Sequence, residues 1–393
     1  MKTLHPDILL LGGGVAGLWT LARLRAAGFQ ALLAEPRGLG GVQTAASQGI
    51  VHGGTKYALG GRLTPSAQAI AAMPGRWRAC LGGSGELDLR AVRRLADHQY
   101  LWATADLRSR LTGFFASHAM RARVTAVAPG EGPAALERPG FTGRLWRLDE
   151  PVLDVGGLSA TLAALGAGAC LHFQDLDLLP GQPPGVRLHH PGAGTLELRP
   201  RHLVLTAGAG NAALLRALGR EAPRMQLRPL HMTLARGPLP PLYLHCLGAG
   251  TSPRLTVTSH PLADGRWVWY LGGDLSESGV GRDREAQIAA AREELAALFP
   301  WVEGEGLSWA TWRVERAEVA TPGGRRPEEP YVHNEDGLSV VWPTKLAFAP
   351  LVAERILDAL GAAGLRPGPV LESPAWPAPP LAPHPWQESI PWT

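Results

Sequence analysis

Residues 7–11, Asp-Ile-Leu-Leu-Leu, form a continuous apolar run bounded by glycine, the pattern of a strand buried on both faces of a parallel sheet. Gly12-Gly13-Gly14-Val15-Ala16-Gly17 follows, then a helical stretch from Leu18 to about Ala27, closed by Gly28. A second apolar run, Gln30-Ala31-Leu32-Leu33-Ala34, ends on Glu35. Strand, tight turn, helix and strand together make a complete βαβ unit. The helix reads as amphipathic. With Asp7 and three consecutive glycines, it argues against taking the apolar start as a signal peptide.

Further along, residues 89–111 carry Leu, Ala and Arg at helical spacing, and 154–164 read as another helix with a strand at 170–173. Residues 202–206 predict a strong buried strand running into Ala207-Gly208-Ala209-Gly210, with a helix over 211–218. From 228 to 275 the texture alternates, as in Arg254-Leu255-Thr256-Val257-Thr258, and predicts antiparallel strands with one solvated face. A helix over 284–298, a short strand over 338–342 and a helix over 349–360 follow. The tail from 366 to 393 is rich in proline and holds Trp376, Trp386 and Trp392. Such a stretch builds no core of its own, so it either extends over the body or stays disordered.

The fold class this implies is α/β (α+β overall). It has a discontinuous, Rossmann-like nucleotide lobe over 1–80, 150–222 and 335–366. An inserted antiparallel-sheet substrate lobe covers 81–149 and 223–334, and 367–393 form the tail. A chain of 393 residues is long enough for two such lobes.

Composition narrows the partners. The net charge of +4 comes from scattered arginines, with no dense basic run, so a nucleic-acid partner is not expected and a small anionic substrate is. No apolar run approaches the roughly 18 residues of a transmembrane segment. Cys80, Cys170 and Cys246 lie far apart without a CxxC, which excludes a disulfide framework and a zinc site and makes a reducing cytoplasm the expected location.

The chemistry begins at Gly12-x-Gly14-x-x-Gly17. Gly12 permits a tight turn, Gly14 lets backbone approach a pyrophosphate, and Gly17 allows close packing of helix on strand. The helix N-terminus offers N–H groups and the positive end of a dipole, and Glu35 is placed to accept hydrogen bonds from ribose hydroxyls. The fingerprint alone does not separate a nicotinamide from a flavin dinucleotide.

The segment after Glu35, Gly40-Gly41-Val42-Gln43-Thr44-Ala45-Ala46-Ser47-Gln48-Gly49-Ile50-Val51-His52-Gly53-Gly54-Thr55-Lys56-Tyr57, is small, polar and glycine-rich. It resembles the FAD-dependent oxidoreductases of the D-amino-acid oxidase superfamily, with a texture nearest the glycerol-3-phosphate and L-2-hydroxyglutarate dehydrogenase branches. Leu203–Gly210 is similar to the family's later strand and turn, and Gly337–Leu346 to its C-terminal flavin-contacting loop. The likeness covers about residues 5 to 362 in three islands. Lys56 departs from the arginine common in the glycerol-phosphate branch, and the extra helical domain of bacterial members is missing.

That resemblance implies FAD as cofactor. It would be held by Gly12, Gly14, Val15, Ala16, Gly17, Glu35 and Pro36, then by Thr44, Ser47, Gln48, Gly49, Val51 and His52. Ala207, Gly208, Thr344, Lys345 and Leu346 complete the set. On the substrate side the candidates are His52 and His231 as base, Lys56 pointing into the site, and Arg313 as a planar grip for a substrate carboxylate or phosphate. The histidines and Lys56 have plainer readings, a packed ring and a solvated lysine, and the nearby Arg316 reads as well as a surface partner of Glu315 or Glu318, so Arg313 is favoured. His52 and Cys246 are the candidates for a covalent flavin link. The expected activity is hydride transfer from a small, anionic 2-hydroxy acid, polyol phosphate or amino acid to flavin N5, with the electron acceptor (oxygen, a quinone or a carrier protein) left open. A nicotinamide-dependent dehydrogenase and a flavin-binding scaffold with vestigial redox activity stand as alternatives.

Overall fold

The computed structural model describes residues 2–54, 65–104, 124–248, 252–302, 306–387 and 390–393. A six-stranded sheet runs in the order Tyr331–Glu335, Leu338–Trp342, His202–Leu205, Ile8–Leu11, Ala31–Glu35, Cys170–His172. All its neighbours are parallel except the first pair, which is antiparallel. The central strands Ile8–Leu11, Ala31–Glu35, His202–Leu205 and Leu338–Trp342 are buried at every position. This is why they read as unbroken apolar runs rather than alternations.

The first helix, Val15–Ala26, differs from its expected amphipathic form. Val15 through Ala22 are all buried, because helices Val155–Leu165 and Ala349–Ala362 pack on it while it also lies on the sheet. Only its last turn, with Arg23 and Arg25, is partly exposed. Asp154 caps Val155–Leu165 by accepting from the Gly156 N–H, and Asp283 caps Arg284–Leu298 in the same way through Ala286.

The second large sheet has eight strands, in the order Ser308–Val319, Met225–Gly237, Trp267–Gly272, Leu255–Pro261, Leu244–Cys246, Gln99–Ala103, Arg144–Leu148, Val124–Ala126. It is antiparallel, as its alternating sequence predicts, apart from the parallel pair Leu244–Cys246 with Gln99–Ala103. That last strand corrects the helix expected over 89–111. Between 89 and 104 the chain forms Arg94–Ala96 and Gln99–Ala103 instead, and 105–111 lie outside the described residues. Leu, Ala and Arg favour helix weakly. Here Gln99–Ala103 pairs along its whole length on one edge and through Tyr100–Trp102 on the other, which outweighs that preference.

Several elements carry no signal in the sequence patterns above, among them strand Ser308–Val319. Lys2–Leu4, Gly194–Leu198, Gly185–His190 and Asp175–Leu179 make a four-stranded sheet, and Pro65–Leu81 is a helix. The tail takes the extended form of its two expected states. Its described residues lie over the body, with Trp386 only 9% exposed.

Candidate active site

The glycine turn is dictated by contact. Gly12 has φ +115°, and a Cβ there would sit 2.5 Å from the Ala207 Cα. A Cβ on Gly17 would run into the Gly12 carbonyl oxygen and the Thr206 hydroxyl. Strand His202–Leu205 therefore approaches strand Ile8–Leu11 backbone to backbone at its C-terminal end, where open α/β sheets place their ligands. Thr44 Oγ1 accepts from the Val15 N–H at 3.1 Å, which folds the segment after Glu35 back over the helix N-terminus. Glu35 is buried, and its two oxygens accept from the Gly13 and Arg37 N–H groups at 2.7 and 2.9 Å.

One cavity of about 800 Å³ opens beside this turn. It is lined by Gly12, Gly14, Val15, Ala16 and Glu35, and by Thr44, Ser47, Gln48, Gly49 and His52. Ala207, Gly208, Thr344, Lys345 and Leu346 close it from the far strands. Three residues expected with them do not line it. Gly17 is spent on helix packing, Val51 is fully buried in the core, and the Pro36 carbonyl faces the His172 ring. Lys56 lies outside the described residues.

Backbone strain gathers on the same walls. Val42 (φ +49°) and Thr344 (φ +60°) are non-glycine residues in the left-handed region, and both line the cavity. Ser47 Oγ and Thr344 Oγ1 are buried with no hydrogen-bond partner among the described residues. Buried hydroxyls without partners are costly unless a ligand meets them. They suit a long ligand with polar edges.

The far end of the cavity holds a pair of imidazoles. His52 and His245 stack with ring centroids 5.7 Å apart. His52 Nδ1 lies 3.5 Å from Glu150 Oε2, and His245 Nδ1 lies 2.8 Å from Thr256 Oγ1. Glu150 is buried, accepting from the Gly53 N–H at 2.7 Å and from Gln99 Nε2 at 2.6 Å. Burial alone pushes its carboxyl up. The hydrogen bond from His52, the charges of both histidines and the Gly53 N–H outweigh that and hold it at about 2. A carboxylate at Nδ1 favours the tautomer that leaves His52 Nε2 as an acceptor. His245, Glu150 and Gln99 were not singled out from the sequence. Their only signal was polarity, at strand positions for Gln99 and His245 and in the connection after Arg144–Leu148 for Glu150, which becomes legible once Gln99–Ala103 is known to pair with Leu244–Cys246.

The other base candidate is corrected. His231 is 1% exposed and absent from the cavity lining, with Nδ1 at 3.1 Å from the Gly279 carbonyl. It shares register with Arg313, on the strand face turned away from Met232 and Trp312. Burial lowers its pKa, so it is a packed neutral histidine. Cys246 is likewise fully buried in an apolar cluster, its thiol pushed up to about 12, and it does not reach the cavity.

Arg313 borders the cavity, but its guanidinium donates to the Val280 and Arg282 carbonyls and pins that loop. The cationic wall is formed by its neighbour Arg316, which lines the cavity with Arg326 and Glu277. Arg316 donates to the Arg228 carbonyl at 3.0 Å and sits 3.6 Å from Glu277. Arg228 pairs with the fully buried Glu318 at 3.2 Å. Burial and the nearby Arg228 push Arg316 down to about 10, while Glu277 and Glu318 act against them.

A dinucleotide turn and a carboxylate-backed imidazole pair sharing one cavity are the layout of a nucleotide-dependent oxidoreductase. The chain belongs to the DAO family of FAD dependent oxidoreductases, which it matches over residues 7–356. It is 50% identical to the probable FAD-dependent oxidoreductase PA4991 of Pseudomonas aeruginosa over 388 residues, 98% of either chain. The crystal structure of PA4991 superposes with a TM-score of 0.84 over 98% of both chains, at 45% identity. Glycine oxidase from Geobacillus kaustophilus shares the fold at TM-score 0.64 and 16% identity, covering 94% of this chain and 100% of that one. L-alpha-glycerophosphate oxidase from Mycoplasma pneumoniae does so at 0.62 and 13%, covering 94% and 100%. The cofactor is FAD and the protein is an enzyme, so the nicotinamide and scaffold alternatives give way. No helix among the described residues is long and apolar enough to cross a membrane.

Proposed function

We propose that this enzyme oxidises a small anionic alcohol, a 2-hydroxy acid or polyol phosphate, by hydride transfer to flavin N5. The single observation that carries this reading is the Glu150–His52–His245 cluster on the wall of the cavity that Arg316 also lines. An alcohol needs a base for its hydroxyl proton, whereas an amine can react already deprotonated. A carboxylate-backed imidazole pair is therefore informative about the substrate.

The turn at Gly12–Gly17, with Glu35, would hold the adenosine and pyrophosphate half of FAD, and Ser47, Gln48, His52, Thr344, Lys345 and Leu346 its flavin half. Bound FAD supplies a two-electron acceptor at N5. Arg316 and Arg326 hold the substrate carboxylate or phosphate, since an anion there relieves the repulsion among the arginines. Leu230, Met232, Trp312 and Val314 give the substrate an apolar, water-excluding wall. His52 Nε2 takes the hydroxyl proton, and Glu150 stabilises the imidazolium that results. His245, stacked on His52 and fixed by Thr256, keeps the ring in place.

The division into a nucleotide lobe and a substrate lobe rests on two separate cores, although Leu87, Leu89, Val92 and Ala317 pack with the six-stranded sheet. The two largest core clusters are separate, one around the six-stranded sheet and one under the eight-stranded sheet. The test is an anaerobic screen of the holoenzyme against hydroxy acids, polyol phosphates and amino acids, read by bleaching of the flavin absorbance. Bleaching by a hydroxy acid or polyol phosphate, lost in His52→Ala with flavin still bound, supports the proposal. Bleaching by amino acids alone, unchanged in that variant, overturns it.

A further inference from the structure

The C-terminal segment crosses the cavity mouth along a defined path. Trp376 Nε1 donates to the His172 carbonyl at 2.6 Å, and the His172 N–H donates to Pro377 at 2.8 Å, on the strand next to Ala31–Glu35. Leu381 then pairs in parallel with Leu39: the Leu39 N–H donates to Pro380 at 2.8 Å, and the Ala382 N–H to Leu39 at 2.9 Å. Beyond this point His384 Nε2 accepts from the Gly156 N–H at 3.1 Å, and Trp386 stacks between His384 and His260. The chain ends on the other sheet, where Thr393 and Trp309 exchange backbone hydrogen bonds and Arg236 lies 4.1 Å over the Trp392 ring.

Where this segment passes Glu35, it becomes cavity wall. Pro380, Leu381, Ala382 and Pro383 line the cavity beside Glu35 and Arg37. The turn after Glu35 is built small to admit them, since a Cβ on Gly38 or Gly41 would meet Ala382 at 3.2 or 3.3 Å. Leu381 is anchored by backbone on both sides, yet its side chain is 50% exposed, as is that of Val42 across the same end of the cavity. Two apolar side chains held in the open on a ligand cavity are arranged for a flat apolar group.

We propose that residues 380–383 are part of the FAD site and form the outer wall over its adenosine half, with Leu381 covering the adenine. FAD leaves only when this strap lifts from Leu39. The inference rests on the assignment of the Glu35 end to adenosine, so the experiment separates the two. FAD dissociation is followed by the recovery of flavin fluorescence, and ADP is titrated as a competitor of FAD rebinding to the apoprotein. The proteins compared are the wild type, Leu381→Ala, Ala382→Pro and Glu35→Gln.

Leu381 is half exposed, so its truncation leaves the fold intact, which the thermal midpoint checks. Loss of its cover speeds FAD release about tenfold and raises the ADP inhibition constant by a like factor. Ala382→Pro, which deletes one N–H donor, does the same. If Glu35→Gln weakens ADP while both tail variants release FAD at the wild-type rate, the strap is no part of the site and the proposal fails alone. If no variant alters ADP binding, the adenosine assignment fails with it.

Discussion

At Gly12 the cavity wall is held by contact, at Glu150 by charge. The glycine turn is a steric object: φ is positive, Ala207 backbone lies against it, and no side chain fits. The imidazole end is an electrostatic object. A buried carboxylate keeps its charge only because His52, His245, Gln99 and the Gly53 N–H surround it. A steric site fails whenever volume is added, whereas an electrostatic one fails when a partner is removed or the pH moves. That difference can be tested from either side.

The largest effect is expected at the turn. Gly12→Ala adds a methyl group against backbone in a disfavoured conformation, and FAD binding should weaken about a hundredfold or more. Equilibrium dialysis of the apoprotein measures it, and wild-type affinity would break the steric account. At the other end, Glu150→Ala leaves two imidazoles with no anion and opens a buried gap. It should cost about 3 kcal/mol of stability and most of the turnover. Glu150→Gln, which keeps the volume, should restore much of the stability without the turnover.

The charged end also predicts a pH response. The Glu150 carboxyl is held at about 2 against an ordinary 4.5, so its contribution is complete above 4.5 and is lost as the pH falls toward 2. Buried His202 and His260 act in the same direction. Burial lowers them to about 4 and about 3, so they stay neutral when folded but take protons on unfolding once the pH drops below 6.5. Together the two histidines should give a slope approaching about 3 kcal/mol per pH unit between about pH 6 and 4. Denaturant melts across that range read it, and a flat profile would contradict the burial of neutral rings. The smallest effect separates two neighbouring arginines. Arg316→Lys should raise KM about tenfold at unchanged flavin content. Arg313→Lys, which loosens only the loop at 280–282, should leave KM alone.

The contrast also explains how much the chain disclosed in advance. The turn, its helix and Glu35 lie in one stretch and each obeys a local rule, so their place in the structure follows from order alone. The antiparallel texture of 228–275 was legible for the same reason. His245 and Glu150 were not, because they meet through pairing of Leu244–Cys246 with Gln99–Ala103, a strand inside a stretch whose Leu, Ala and Arg spacing reads as helix. Arg313 and Arg316 were distinguishable only by register. Arg316 shares the strand face of Trp312 and Val314, toward the cavity, while Arg313 shares the opposite one with His231. A three-residue shift in sequence therefore changes a ligand-facing arginine into a loop clamp.

The most direct test of the account is the anaerobic half-reaction of the holoenzyme with a small hydroxy acid or polyol phosphate, followed at the flavin across pH. The account predicts bleaching whose rate rises as one basic group becomes deprotonated, a dependence abolished in His52→Ala with flavin retained. A reduction rate with no such dependence, or one untouched by that substitution, would contradict it.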